Sequence, residues 1–369
     1  MKKNIAHVFL TLNMGGMEKV GLDLIRGLGT EKYNHYIICL DCLGVLGEQV
    51  ANEEGVWIKS LDKSPGFSFK VLLQLYRVFK LHGIDVVHTN NPAPHFWGGI
   101  AAWFARVPVR IHTKHGRNFI HMRRRVVLNR WSALFSTKVV CVSEDSARLT
   151  RTLERVPPRK VSVITNGVDT ERFSPGDRQE SLLAELGLSL SDCLIGSIAR
   201  FSTDKDQATL VRAFAGLIQR GLGGVKLLLV GDGETLCSVK ALVSSLDLDD
   251  LVVFTGARHD IPELLRLLDV YVLATHTEGI SVALLEAMST KVVCIASDVG
   301  GNSEIIDDGI DGFLVPEEDD LEMSKTLELI LSDPQLKASI ASNARGKVIS
   351  EFSLASVVGK YEILYGESI

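Results

Sequence analysis

Two carboxylates eight residues apart, Glu278 and Glu286, frame the start of a predicted helix in the stretch 274–288. At a helical rise they stand roughly 12 Å apart, too far for the carboxylate pair of a retaining glycosidase and long for that of an inverting one. Gly279 precedes the backbone N–H groups of Ile280, Ser281 and Val282, and Ser281 is placed to cap the helix. A helix start of this kind favours an anion. An extended ligand with hydroxyls at both ends and negative charge in the middle suits the spacing, and a nucleotide-sugar has that shape. An amphipathic helix with one acid near its positive end and one on its exposed face accounts for the same residues. Arg200 and Lys205, two cations five residues apart after another predicted strand, could converge on one diphosphate. Arg258 follows a strand and could lie against a nucleotide base, although an exposed loop is the simpler view. His115, in the polar run 112–118, is a candidate hydrogen-bond donor to a reacting sugar. A lone histidine is more often structural. His112 and His115 have no cysteine or carboxylate nearby to complete a zinc site.

The elements that must position these groups alternate. Strands are predicted at 5–10, 36–40, 56–60, 85–88, 110–113, 139–142 and 161–164, with helices at 17–28, 68–81, 95–106, 123–135 and 144–153. Turn residues cluster over 165–177, and a second strand series follows at 194–198, 225–230, 252–254, 270–273, 292–296 and 313–315. At 369 residues the chain is long for one core. The alternation predicts right-handed βαβ units and two parallel sheets covered on both faces, with ligands at the carboxyl ends of the strands. Gly15 and Gly16 join a strand to a helix without the full G-x-G-x-x-G spacing; they make a tight turn or let backbone approach a phosphate or sugar. Gly231, Asp232 and Gly233 read as a structural turn, and 297–304 repeats the strand, glycine and helix-start design.

The composition, 46% hydrophobic and 23% charged, is that of a globular protein. No apolar run reaches the about 18 residues of a membrane span. Lys2, Lys3 and the apolar residues after them imitate a secretory signal, but His7 and Asn13 interrupt it, so a first strand is expected. Six scattered cysteines suit reduced core thiols. Cys39 and Cys42 form a Cys-x-x-Cys pair, yet Gly44 and Gly47 speak against the helix that a redox motif opens. The net charge of −5 divides into +11 through residue 175 and −16 beyond it, which turns the front half toward an anionic partner. Arg123, Arg124, Arg125 and Arg130, with Trp131 and an apolar band at Val126, Val127 and Leu134, could face an anionic membrane surface or a phosphorylated acceptor. A solvated charged face is the alternative. Nucleic acid is not expected, because aromatic residues do not interleave with the cations.

Taken in order, Gly15-Gly16-Met17-Glu18, His115-Gly116, Val142-Ser143-Glu144, Asn166-Gly167-Val168-Asp169, Arg200 with Lys205, Gly231-Asp232-Gly233, and Glu278-Gly279 with Leu285-Glu286-Ala287-Met288 resemble family 4 of the retaining glycosyltransferases. The resemblance spans nearly the whole chain. It implies an α/β GT-B fold, two Rossmann-like parallel-sheet domains facing a central cleft. Residues 1–170 would bind acceptor, 171–350 the nucleotide-sugar, and 351–369 would form a helix crossing back. By the same resemblance Arg200 and Lys205 hold the diphosphate, Glu286 the ribose, and Glu278 with the adjoining amides the transferred sugar. His115 would touch the sugar and Gly16 approach phosphate or acceptor. No protein nucleophile and no essential divalent metal or other cofactor is implied. The expected reaction moves a hexose from a UDP- or GDP-linked donor to a lipid-linked or polysaccharide acceptor in bacterial cell-surface glycan synthesis. Such an enzyme would be cytoplasmic, or peripheral on the inner face of the cytoplasmic membrane. Alternatives are a nucleotide-sugar 2-epimerase of the same fold and a non-enzymatic membrane-surface adaptor. Lys291 and Val293 stand where relatives commonly carry Gly and Pro, which puts the local backbone geometry in question.

Overall fold

The computed structural model describes residues 2–13, 15–53, 56–64, 66–116 and 123–366. Arg117 and Asn118 of the polar run 112–118 lie outside the described residues. The chain divides into two compact units, Met1–Gly167 with Leu354–Ile369, and Val168–Ser353.

In the first unit β1 (Lys3–Phe9), β2 (Tyr33–Cys39), β3 (Trp57–Ser60), β4 (Val86–Asn90), β5 (Val109–Lys114), β6 (Lys138–Cys141) and β7 (Val161–Val163) form a seven-stranded sheet in the order β3-β2-β1-β4-β5-β6-β7. Every pairing is parallel. The apolar strand sequences follow from burial of both faces. Ala6 and Val8 of β1 pack with residues of the helices Phe69–Leu81 and Pro92–Phe104, whereas Ile5 packs with Leu24 and Leu28 of the helix Gly16–Leu28. The C-terminal helix Leu354–Gly366 joins this second face through Val357, Val358, Tyr361 and Tyr365.

The first unit buries an unusual set of histidines on its strands, on the helix Pro92–Phe104 and just after β5. His35 Nε2 donates to the carbonyl of Gly29 at 2.9 Å, which leaves its Nδ1 to accept from His7 Nε2 at 3.2 Å. His88 bridges Tyr365 Oη at 2.8 Å and Thr113 Oγ1 at 2.7 Å. His95 stacks on His112, with ring centroids 3.7 Å apart. Burial lowers the pKa of His88 and His95 to about 3 and that of His115 to about 4, and it lowers His7, His35 and His112 as well. Between those values and the ordinary 6.5 the unfolded chain binds protons that the folded chain refuses. Stability is therefore complete above pH 6.5 and falls as pH drops below it, by about 1.4 kcal/mol per pH unit for each histidine fully inside the window. Urea unfolding between pH 4.5 and 7.5 measures this, and a stability flat across that range contradicts it.

In the second unit β8 (Cys193–Ile198), β9 (Val225–Val230), β10 (Val252–Gly256), β11 (Val270–Leu273), β12 (Val293–Ser297) and β13 (Phe313–Val315) form a parallel sheet in the order β10-β9-β8-β11-β12-β13. The order reverses direction between β8 and β11. In the first sheet it does so between β1 and β4. Such points open a crevice at the strands' carboxyl ends.

One expectation changes. A helix, Gly44–Val50, does follow Cys42, because Gly44 takes φ 73° where a side chain would meet the backbone of Leu12. The redox reading still fails, on different grounds. Cys39 is buried with its thiol pushed up to about 12, Cys42 is exposed, and both are free. The helix Arg123–Ser132 buries Asn129 and Ser132, while Val127 and nearby Leu134 of its apolar band are exposed, an arrangement that a surface-docking face and a solvated face share. Lys291 sits at φ 65°, a left-handed conformation that costs a side-chain-bearing residue energy. Lys291→Gly is expected to raise unfolding stability by about 1 kcal/mol; unchanged or lower stability in chemical denaturation contradicts that.

Candidate active site

The second sheet's reversal places the loop after β8 beside the loop after β11. Three hydrogen bonds join them, Asp206 N to the Ala274 carbonyl at 3.0 Å, His276 N to the Asp204 carbonyl at 3.0 Å and Thr275 Oγ1 to the same carbonyl at 2.8 Å, and Thr275 N is further tied to Ser297 Oγ of β12 at 3.1 Å. Thr275 is fully buried and pairs with Lys205 in a short antiparallel bridge. Lys205 Nζ consequently donates to Glu278 Oε1 in an ion pair whose side chains are only 21% and 13% exposed. Five residues earlier Arg200 is exposed, and its carbonyl accepts from Gln207 Nε2 at 3.0 Å.

Glycines let these loops lie against their neighbours. A Cβ at Gly231 or Gly233, at φ 139° and 150°, would overlap the carbonyls of Ala199 and Phe201, on either side of Arg200. One at Gly300 or Gly301 would overlap the carbonyls of Glu278 and Gly279. The turn at 231–233, read as structural from sequence, is thus what seats the Arg200 loop. Gly301→Ala must displace the Glu278–Gly279 backbone, so it is expected to raise the donor KM by about tenfold and to destabilise by about 1–3 kcal/mol. Michaelis curves with a thermal melt check this, and an unaltered KM counts against it.

Ser281 caps the helix Val282–Ser289, its Oγ accepting from Leu284 N at 3.4 Å. Gly279, Ile280 and Ser281 therefore stand immediately before the helix and Val282 opens it. Glu286, inside the helix, is 6% exposed. Tyr271 of β11 is fully buried; burial raises its phenol well above the ordinary range, and the charges of Cys294, Glu278 and Glu286 add to this. His276, two residues before Glu278, bonds Glu317 through Nδ1 at 2.7 Å with Glu318 at 3.8 Å, an exposed cluster that spacing along the chain does not reveal. Arg258 sits beyond the edge strand β10, where Asp260 (2.8 Å) and Glu185 (2.6 Å) engage its guanidinium. It reaches a nucleotide only by giving up an ion pair.

In the first unit His115 follows β5, and its Nε2 meets Asn90 Oδ1 at 2.8 Å. A cavity beside it is lined by His88, Asn90, Thr165, Asn166 and Tyr361. Burial lowers the His115 pKa; the Asn166 side chain offsets part of the shift, although Nδ1 itself finds no partner of hydrogen-bond geometry. Gly15 precedes the helix Gly16–Leu28 in an extended conformation without a side-chain cap, and Gly16 opens it at the surface. Arg123, Arg124, Arg125 and Arg130 are all exposed.

Residues 14–172 match the family model described as Glycosyltransferase Family 4, and residues 179–347 that described as Glycosyl transferases group 1. The chain is 30% identical to the UDP-Gal:alpha-D-GlcNAc-diphosphoundecaprenol alpha-1,3-galactosyltransferase of Escherichia coli, over 99% of this chain and 97% of the relative. The chain belongs to glycosyltransferase family 4. This glycosyltransferase is also 29% identical to the N-acetyl-alpha-D-glucosaminyl L-malate synthase of Bacillus anthracis, over 96% of this chain and 94% of that one. Its fold matches the crystal structure of Anabaena HepE in complex with UDP and glucose, with a TM-score of 0.87, 21% identity, and coverage of 98% of this chain and 99% of the other. Two Rossmann-like parallel-sheet units are the GT-B architecture that the sequence implied. Within the second unit of this glycosyltransferase, Arg200, Lys205, Glu278 and Glu286 all lie on the loops and helix at the β8/β11 reversal. No helix among its described residues is long and apolar enough to cross a membrane.

Proposed function

We propose that this glycosyltransferase moves a hexose from a UDP-sugar to a lipid-linked glycan acceptor, with retention of anomeric configuration. The observation that carries the reading is the Lys205–Glu278 ion pair at the reversal of the second sheet. A diphosphate arriving there competes with Glu278 for the Lys205 ammonium, and the exposed Arg200 supplies a second cation. Glu278, released from Lys205, is then free to accept hydrogen bonds from sugar hydroxyls. Charge develops on the leaving diphosphate in the transition state, where fixed cations stabilise it most. With cations in that role the reaction needs no essential divalent metal, and none of the implied residues acts as a nucleophile. Glu286, buried on its helix, is assigned the ribose hydroxyls, and His115 with Gly16 the acceptor side.

UDP is favoured over GDP because the Escherichia coli relative is named for UDP-Gal and the Anabaena structure holds UDP. A diphosphoundecaprenol in that relative's name supports a lipid-linked acceptor, used at the inner face of the cytoplasmic membrane. The test incubates the protein with UDP-Gal, UDP-Glc, UDP-GlcNAc or GDP-Man and a GlcNAc-diphosphoprenol, with and without EDTA, and reads the anomeric configuration by NMR. An α-linked product from a UDP donor in EDTA is expected. An inverted product, loss of transfer in EDTA, or conversion of donor without acceptor contradicts the reading.

A further inference from the structure

Between Asp85 and Glu144 the sequence carries nine Lys or Arg and no acidic residue. The fold brings two parts of this stretch together, since the helices Pro92–Phe104 and Arg123–Ser132 pack against each other. At their junction large apolar groups face outward: Trp103 is 49% exposed, Phe104 62%, Trp131 61% and Leu134 59%. Trp103 holds its ring against Phe104 at 5.0 Å and Phe135 at 5.8 Å, so the aromatic cluster is ordered by its own contacts. The exposed guanidinium groups of Arg123, Arg124 and Arg130 lie on the second helix of the pair. Trp103 and Phe104 had no part in the sequence reading; only the packing of the two helices adds them to the arginine face.

We infer that this two-helix face docks the first unit onto an anionic bilayer, with Trp103, Phe104 and Trp131 entering the headgroup region and the arginines pairing lipid phosphates. Indole rings beside an apolar cluster match the interface between headgroups and acyl chains, and basic residues at the same level add electrostatic attraction. A second copy of the chain fits less well. An isologous contact centred on this helix would set Arg123, Arg124 and Arg130 against their own copies. The inference rests on the proposed lipid-linked acceptor, which a docked enzyme would meet in the plane of the membrane.

The full chain is floated with vesicles of phosphatidylcholine alone or mixed with phosphatidylglycerol, without donor or acceptor, at low and high salt, while tryptophan emission is followed. Binding to the mixed vesicles only, weakened by salt and accompanied by a blue shift, is expected. The triple variant Arg123→Gln, Arg124→Gln, Arg130→Gln should bind about 100-fold more weakly, at about fivefold per cation. Trp131→Ala should lose a large part of the blue shift. UDP titration of the same samples controls for folding and separates the two claims: unaltered UDP binding with no vesicle binding overturns the docking face and leaves the transfer reaction standing. Equal vesicle binding by wild type and the triple variant overturns it too. So does self-association without vesicles that Trp131→Ala abolishes.

Discussion

Lys205→Ala is expected to lower kcat/KM for sugar transfer by about 10²–10³-fold, the effect of removing one preorganised group that stabilises charge on a departing oxygen. The pairing of Lys205 with Glu278 explains why the loss is large and why it divides between parameters. Thr275 and the carbonyl of Asp204 hold the Lys205 loop in place, so the ammonium is positioned before the donor arrives and little reorganisation is needed in the transition state. Without the lysine, Glu278 stands half-buried against an incoming diphosphate, and like charges repel. Glu278→Gln in the Lys205→Ala background removes that repulsion. The double variant should therefore recover donor KM while kcat stays low. If Lys205→Ala keeps wild-type kcat/KM, or if the double variant restores kcat, the role given to Lys205 is wrong.

Lys114→Ala should have the largest effect on stability. Lys114 and Glu154 form an ion pair of 2.7 Å with side chains only 7% and 5% exposed; Thr150 accepts a further bond from Lys114 at 2.8 Å, and Asn129 donates to Glu154 at 2.8 Å. Removing one member leaves a charge buried beside its lost partner, which costs about 3–5 kcal/mol. Replacing both, as Lys114→Met with Glu154→Leu, recovers a large share of that loss, because an apolar pair has no desolvation penalty to offset. Chemical denaturation of the two variants measures this. Equal loss in single and double variants contradicts it. Lys114 also ends the strand that leads into His115, and Asn129 is a buried residue of the arginine helix. The single variant should therefore disturb acceptor KM more than donor KM.

The strands were legible because parallel strands buried on both faces are apolar throughout, and thirteen short apolar runs between turn signals leave few other readings. Glu278, Glu286, Arg200 and Lys205 were legible as types at strand ends. The resemblance gathered them around one donor, but the ion pair between Lys205 and Glu278 was not legible. Lys205 and Glu278 are 73 positions apart, and what joins them is the adjacency of β8 and β11, a property of sheet order. Gly231 and Gly233 looked like an ordinary turn, and Gly300 and Gly301 like a repeat of the helix-start design, because the backbone each one admits comes from elsewhere in the sequence. The helix Gly44–Val50 was obscured by its glycines, one of which is needed for a positive φ at its start. The histidines His7, His88 and His112 gave no sign of burial, since a neutral imidazole in an apolar strand differs little in pattern from a polar interruption. The arginine helix offered two readings in sequence, a docking face and a solvated one, because its exposed apolar positions Val127 and Leu128 serve either.

The central claim is that the reversal of the second sheet is a nucleotide-sugar site built from Lys205 and Glu286. Calorimetric titration of UDP into wild type, Lys205→Ala and Glu286→Ala, all in EDTA, tests it most directly. One UDP per chain is predicted for wild type, with affinity about tenfold or more weaker in each variant, the loss of a charge-assisted hydrogen bond. Unchanged UDP affinity in both variants, with their folds intact by circular dichroism, would contradict the account.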